Sequence, residues 1–257
     1  MQHGELQAIY VMWLRQMKRY VRSRSRIIGT IVQPLFFLAI LGLGLRNAIL
    51  PGMTGDYIPF IAPGIVAMAI LFSSMHTGIS VLWDKKFGFL QEILVAPVSR
   101  FTIIIGRTLG GATTAVLQGT IVLIIAIFMG VSVSSIGGFI LAYIFMILIA
   151  LTSVGFGLIM ASKMDDFEGF QIIITLILMP LFFLSSALFP IATNTNLPDI
   201  VIMLSFANPL FYMVDGLRGS LTNMNNVLHP LVDLIIVVII CLTMFGLGSY
   251  LFNKTEA

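Results

Sequence analysis

Six long apolar stretches, separated by short polar connections, account for most of this 257-residue chain. A bilayer core roughly 30 Å thick requires about 20 apolar residues per helix. None of the stretches alternates polar and apolar residues with the period of two expected of a barrel strand, so helices are the structure that satisfies the backbone within lipid. The stretches cover residues 27–45, 58–83, 101–130, 136–161, 170–189 and 231–252. The sequence therefore predicts an all-α integral membrane protein, with residues 1–257 forming a single transmembrane domain.

The composition excludes a soluble globular domain. Hydrophobic residues make up 58% of the chain and charged residues 10%, whereas globular domains usually carry about 25% charged residues. The formal net charge of +3 comes from basic residues clustered beside the spans. Such clustering is typical of membrane anchoring and does not indicate nucleic-acid binding.

The basic residues also predict how the chain is oriented. Six spans place both ends on one side of the membrane, and 12 of the 14 lysine and arginine residues fall on that side. They are Arg15, Lys18, Arg19, Arg22, Arg24, Arg26, Lys85, Lys86, Arg100, Arg107, Lys163 and Lys254. Only Arg46 and Arg218 fall on the other side. By the positive-inside rule, we expect a multi-pass protein of the cell membrane with both termini in the cytoplasm.

Residues 5–26, ahead of the first span, show the pattern of an amphipathic helix, because apolar residues recur at spacings of three and four. The apolar stripe consists of Leu6, Ile9, Tyr10, Trp13, Leu14, Met17, Tyr20 and Val21. Arg15 and Arg19 lie off the stripe. A basic amphipathic helix of this kind lies in the membrane interface. Two roles remain open for it: a passive anchor, or a helix that transmits force from a partner.

Residues 86–100, between the second and third spans, form a short apolar segment on the cytoplasmic side. Phe89, Leu90, Ile93 and Leu94 share one side at helical spacing. Pro97 disfavours the helical conformation of the residue before it, so the helix is expected to end there. Either the bundle itself or a groove on a cytosolic partner would cover the apolar side.

Residues 190–230, between the fifth and sixth spans, contain two apolar runs that are too short to cross the membrane, 200–204 and 210–214. Such runs are typical of re-entrant or interfacial helices. Asn208 followed by Pro209 indicates a helix N-terminus. Asp215 and Arg218 are three residues apart on that helix and are expected to form a structural ion pair.

The chain lacks the motifs of a catalytic or metal site. No glycine directly precedes a lysine, so there is no Gly-x-x-x-x-Gly-Lys phosphate loop. His76 is the only histidine inside a predicted span, and the single cysteine, Cys241, is expected to be a packing residue. Asp84 and Asp233 lie at span ends, where water is expected to be close. These features predict a protein without enzymatic activity or a metal of its own.

The third span carries small residues at intervals of four, among them Gly106, Gly110, Gly111 and Gly119. Ridges of small residues let helices approach closely. The sequence leaves open whether they pack within one bundle or between two copies of the chain.

Two regions resemble the permeases of type-2 ATP-binding-cassette exporters, the family that includes antibiotic-resistance and oligosaccharide-export permeases. The stretch from Lys86 to Arg100, KFGFLQEILVAPVSR, is similar to the coupling segment of the family, with Phe89 as an insertion. MPLFFLSSALFP (179–190) and NPLFYMVDGLR (208–218) resemble its second pattern, with Ser186 where glycine is usual. The spans and the amphipathic lead extend the resemblance over essentially the whole chain.

The resemblance implies a dimer of this chain that docks two cytosolic ATPase subunits, which would bind ATP and Mg²⁺. The docking residues would be Arg15, Arg19, Leu90, Glu92, Leu94, Pro97 and Arg100. The second and fifth spans would line the path between protomers. Phe72, His76, Phe182 and Phe183 are the candidate path residues in these spans, and the alternative for the aromatic side chains is that they face lipid.

The expected function is therefore that of the membrane subunit of an ATP-driven exporter of a hydrophobic or amphipathic compound, such as a drug or a lipid-like molecule. Export of a lipid-linked or free glycan is the alternative substrate class. An ion-coupled secondary transporter is less favoured, because the centres of the spans carry no charged residue. A scaffold without a transported substrate would leave the coupling segment unexplained.

Overall fold

The computed structural model describes residues 2–46, 50–53, 55–88, 99–164, 166–222 and 226–254. Within these ranges the chain consists of helices joined by turns and loops, without a strand. The helices are α1 (Gln2–Arg22), α2 (Arg24–Gly44), α3 (Tyr57–Lys86), α4 (Arg100–Phe128), α5 (Ile136–Lys163), α6 (Phe167–Leu184), α7 (Asp199–Ala207), α8 (Pro209–Thr222) and α9 (Pro230–Lys254). Six of them, α2 to α6 and α9, are long and apolar enough to cross a membrane. The predicted all-α membrane fold is confirmed.

Local hydrogen bonds explain where three of the spans begin. Ser99 precedes α4, and its hydroxyl accepts a hydrogen bond from the Thr102 backbone N–H at 3.1 Å. Ser135 caps α5 in the same way, and the Asp166 carboxylate caps α6. Each side chain satisfies a backbone donor that the first helical turn leaves unpaired.

The end of α6 differs from the predicted span 170–189, because the helix stops at Leu184. The reason lies at Ser186, whose φ of 57° places it in the left-handed region. A non-glycine residue is strained in that conformation and cannot continue a right-handed helix. The turn that follows leads to α7 and α8, which are bent by 82° relative to each other.

Helix α3 is the centre of the bundle. Of the residues in its most apolar 18-residue stretch, 89% are buried. In the corresponding stretches of α2, α6 and α9, only 22% are buried. It packs against α2, α4, α5 and α8. The peripheral helices thus turn long apolar sides outward, as expected of helices that face lipid or another subunit.

The glycines of α4 let other helices of the same chain approach its backbone closely. A Cβ added to Gly106 would lie 2.7 Å from the Met12 Cβ, and one added to Gly110 would lie 2.7 Å from the Gln16 Cβ, so α1 rests directly on the α4 backbone. Gly119 accommodates Ile70 of α3 in the same way. The sequence left open whether these small residues pack within one bundle or between two copies of the chain. The contacts of Gly106, Gly110 and Gly119 lie within one bundle.

Candidate functional site

A cluster of charges around Asp84 joins the surface helix to the bundle. The Arg15 guanidinium donates two hydrogen bonds to the two Asp84 carboxylate oxygens, at 2.8 and 3.1 Å. Arg107 of α4 donates to the same carboxylate at 2.7 Å, and the Arg19 guanidinium lies 3.9 Å from it. One carboxylate near the end of α3 thus connects three helices.

The inner members of the cluster, Asp84 and Arg107, are shielded from solvent, whereas Arg15 and Arg19 are partly exposed. Asp84 is 5% exposed and Arg107 is fully buried. Two Arg107 nitrogens, Nε and Nη1, have no hydrogen-bond partner within the described part of the chain. Because an unpaired buried charge is strongly destabilising, the position of Asp84 beside Arg107 is a strict requirement of this packing.

Polar contacts extend the cluster along α1. Gln16 donates to the Ser80 hydroxyl at 3.3 Å, and the Trp13 indole N–H donates to the Thr113 hydroxyl at 3.1 Å. Together with the glycine contacts, these bonds attach α1 to both α3 and α4.

A second buried charge pair lies at the opposite end of the bundle. Arg218 lies 3.8 Å from the Asp215 carboxylate, and its guanidinium also stacks on the Phe60 ring, 4.0 Å from the ring centre. It donates to the backbone carbonyls of Phe60 and Ser186. Asp215 accepts hydrogen bonds from the backbone N–H groups of Val227 and Leu228. The pair thus fastens α8 to α3 and to the turn after α6.

Asn208 fixes the bend between α7 and α8. Its side-chain oxygen accepts a hydrogen bond from the Leu210 backbone N–H at 3.0 Å, and its amide group donates to the Leu181 carbonyl. Helix α8 begins at Pro209, as the Asn-Pro sequence predicts.

The expectation that water is close to both Asp84 and Asp233 is wrong for Asp233. Asp84 is 5% exposed and borders an open cleft beside α1, whereas Asp233 of α9 is fully buried. The Asp233 carboxylate oxygens have no hydrogen-bond partner among the described residues. The Asp233 Cβ lies against Gly216, so α8 packs over this carboxylate and excludes solvent.

An apolar cavity of about 200 Å³ lies between α3, α5, α6, α8 and α9. Methionines from three of these helices, Met75, Met213 and Met244, contribute to its wall, together with Phe156 and Leu178. Its lining suits an uncharged apolar group, because it offers almost no polar surface to a ligand.

The sequence matches the profile of the ABC-2 type transporter family over residues 7–222. The chain belongs to this family of transport permeases. The matched region contains the Asp84 cluster and the bent pair α7–α8, so both charge sites lie within the family domain.

Relatives support the same assignment over most of the permease. It is 28% identical over 256 residues to the inner membrane transport permease YadH of Escherichia coli K12, covering 96% of this chain and 94% of the relative. It is 25% identical to the transport permease ycf38 of Cyanophora paradoxa, over 83% of this chain and 73% of the relative. It is 30% identical to a protein of Escherichia coli K12 named as a probable multidrug ABC transporter permease, YbhR, over 67% of this chain and 46% of the relative.

Three of the seven predicted docking residues lie in the described part of the permease, at two separate positions. Arg15 and Arg19 both belong to the Asp84 cluster. Arg100 is the first residue of α4 and is exposed. The remaining four, Leu90, Glu92, Leu94 and Pro97, lie outside the described residues, and their docking role stays a prediction.

The predicted path residues do not form one surface. Phe72 and His76 of α3 are half-buried, and a His76 ring nitrogen lies 2.9 Å from the Phe72 carbonyl. Phe182 is buried in the core of the chain, whereas Phe183 is 45% exposed on the outer side of α6. Only Phe183 of the α6 pair is therefore available to a path at the surface of this chain.

Sequence reasoning missed the partnership of Asp84 with Arg107 and with α1. The residues are far apart in the chain, and no local spacing relates them. One feature of the sequence could have indicated this pairing. Arg107 lies inside an apolar stretch, and a charged residue in a membrane span requires a partner. Within the described residues, no group of three or more His, Cys, Asp or Glu side chains is placed to hold a metal ion.

Proposed function

We propose that this permease is the membrane subunit of an ATP-driven exporter that moves a hydrophobic or amphipathic compound out of the cell. Two copies would dock two separate ATPase subunits, which would bind ATP and Mg²⁺ and carry out hydrolysis. The protein would lie in the cell membrane with both termini in the cytoplasm, as the distribution of basic residues predicts.

The Asp84 cluster is the observation that carries this proposal. A partner that moves residues 86–100 would act directly on the end of α3, which Asp84 links to α1 and α4 by hydrogen bonds of 2.7–3.1 Å. Such a cluster converts a push at the membrane surface into a joint movement of three helices. A passive anchor would need neither the buried Arg107 nor its carboxylate partner, so the transmitting role of α1 is favoured.

The lining of the apolar cavity favours a hydrophobic substrate over a glycan. A glycan carries many hydroxyl groups, and each would lose hydrogen bonds to water without gaining a partner in this cavity. The exposed Phe183 on α6 adds apolar surface on the side where a second protomer would pack.

Two substitutions in the coupling segment test the docking. Glu92→Arg reverses a charge, and Leu94→Asp introduces a carboxylate that is costly to desolvate without a partner. We expect both variants to reach the membrane in normal amounts but to lose co-purification of the ATPase subunit and substrate efflux. Arg46→Glu, on the opposite side of the membrane, is the control and is expected to retain both. Normal co-purification and efflux in both coupling variants would show that residues 86–100 are only a connection.

A further inference from the structure

Helix α1 has three distinct sides in the structure. One side packs on the bundle and includes the buried Met12, Gln16 and Tyr20. A second is apolar and exposed, with Leu6 at 67% and Val21 at 66% exposure. The third is basic. Its residues Arg15, Lys18, Arg19 and Arg22 follow one another at spacings of three, one and three, which places them on one side of a helix.

The basic side forms one wall of an open cleft of about 460 Å³. The opposite wall consists of Trp83, Asp84 and Phe87, at the end of α3. Trp83 and Phe87 stack with their ring centres 5.2 Å apart, and they are 42% and 68% exposed. The cleft therefore combines cations with accessible aromatic surface.

Among the described residues that line the cleft, positive charge exceeds negative charge. Asp84 is its only acidic lining residue among those described, and this carboxylate already accepts hydrogen bonds from Arg15 and Arg107. Lys18 and Arg22 have no acidic partner within the described residues, and both are exposed. A bound anion would balance this excess, and phosphate is an anion that arginine binds well.

We propose that this cleft binds the phosphate group of an anionic phospholipid from the leaflet that α1 lines. The phosphate would lie between Lys18, Arg19 and Arg22. The acyl chains would follow the exposed apolar side of α1, which borders the basic side. A tryptophan at the rim matches the depth of a headgroup, because tryptophan favours the membrane–water interface, and basic pockets between helices bind anionic headgroups elsewhere. An acidic surface on a soluble partner would satisfy the charges but leave the apolar side of α1 unaccounted for.

The test is native mass spectrometry of the full-length chain in neutral detergent, titrated with phosphatidylglycerol or phosphatidylcholine. The Lys18→Gln/Arg22→Gln pair removes two cations from the cleft. The control pair, Arg24→Gln/Lys163→Gln, removes two exposed cations from other helices. We expect tight binding of phosphatidylglycerol only, weakened about 30-fold by the cleft pair, the effect typical of two basic residues at an anionic membrane surface. The control pair is expected to leave the affinity unchanged.

Three results would overturn the proposal. Equal affinities in the wild type and the cleft pair, or equal losses in both pairs, would show that the lipid does not occupy this cleft. Displacement of the lipid by inorganic phosphate at the same concentration would identify a site for free phosphate instead. Loss of the lipid on addition of the ATPase subunit would assign the basic side of α1 to the partner protein.

Discussion

At the scale of single residues, Asp84 is the position on which the contact between α1, α3 and α4 depends. Its carboxylate accepts hydrogen bonds from Arg15 and Arg107, and Arg107 is fully buried. The attraction within such a buried pair is largely offset by the cost of removing both charges from water, so the pair as a whole adds little to the free energy of unfolding. Removal of only one partner is nevertheless costly, because the remaining charge has no water to solvate it.

Asp84→Leu is therefore expected to lower the free energy of unfolding by about 3–5 kcal/mol, the cost typical of a buried charge left alone. The double variant Asp84→Leu/Arg107→Leu is expected to recover most of this loss, because it removes both charges. Arg19→Gln is the control: its guanidinium is 3.9 Å from Asp84 and 38% exposed, so we expect a change below about 1 kcal/mol. The measurement is reversible unfolding of the purified chain in mixed micelles. A double variant no more stable than Asp84→Leu would contradict this account of the cluster.

Ser186 supplies a second prediction, because it adopts φ 57° where glycine is usual in the permeases that the sequence resembles. A left-handed conformation costs a residue with a Cβ about 1–2 kcal/mol, and glycine avoids that cost. The Ser186 hydroxyl offsets part of it by accepting a hydrogen bond from the Ala192 N–H at 3.2 Å. Ser186→Ala loses the bond and keeps the strain, so we expect it to unfold at a lower temperature than Ser186→Gly. The reverse order of thermal unfolding would show that this turn is not strained.

At the scale of elements, the close approach of α1 to α4 rests on two glycines. Gly110 leaves no space for a larger side chain, since even a Cβ would lie 2.7 Å from Gln16. We expect Gly110→Leu to push α1 away from the bundle and to make the bonds after Arg15 and Arg19 accessible to trypsin. Gly29→Leu is the matched control, because nothing lies within 4 Å of a Cβ built at that position. Equal digestion of the two variants and the wild type would mean that α1 does not depend on this contact.

The elements also show how far sequence reasoning reaches. The six spans and the amphipathic lead follow from hydropathy and helical spacing, which are local properties. The helix start at Pro209 was predictable for the same reason, since Asn208 and Pro209 act within one turn. The early end of α6 was not, because it depends on the conformation of Ser186 rather than on the apolar character of the residues that follow.

The candidate site was less predictable, since it is built from contacts between distant segments. Arg15 and Arg19 were singled out as cations for a partner, yet the structure shows that both face Asp84 of the same chain. Phe182 and Phe183 are neighbours with the same side chain, but only one is exposed. Neither result follows from residue type or spacing, because each depends on which helix packs alongside.

At the scale of the whole molecule, the two ends of the bundle differ in their charge sites. The Asp84 cluster contains more cations than anions and lies beside the surface helix. At the other end, Arg218 is surrounded by carbonyl groups and an aromatic ring, with Asp215 nearby. This asymmetry agrees with the proposed orientation, in which α1 lies on the cytoplasmic surface.

Orientation is tested by labelling single cysteines in sealed cells. Gly4→Cys lies on exposed α1, and Asn196→Cys lies in the exposed segment before α7. Because the native Cys241 is buried, it is expected to react slowly. We expect an impermeant maleimide applied from outside to label Asn196→Cys only. Labelling of Gly4→Cys in intact cells would reverse the proposed topology.

ATP-driven export is tested most directly by transport in proteoliposomes. The permease would be reconstituted with and without its ATPase subunit, and accumulation of a fluorescent hydrophobic compound would be followed after addition of ATP and Mg²⁺. We predict accumulation and ATP hydrolysis only when both subunits are present. Transport by the permease alone, driven by a proton or sodium gradient, would rule out an ATP-driven exporter and identify a secondary transporter.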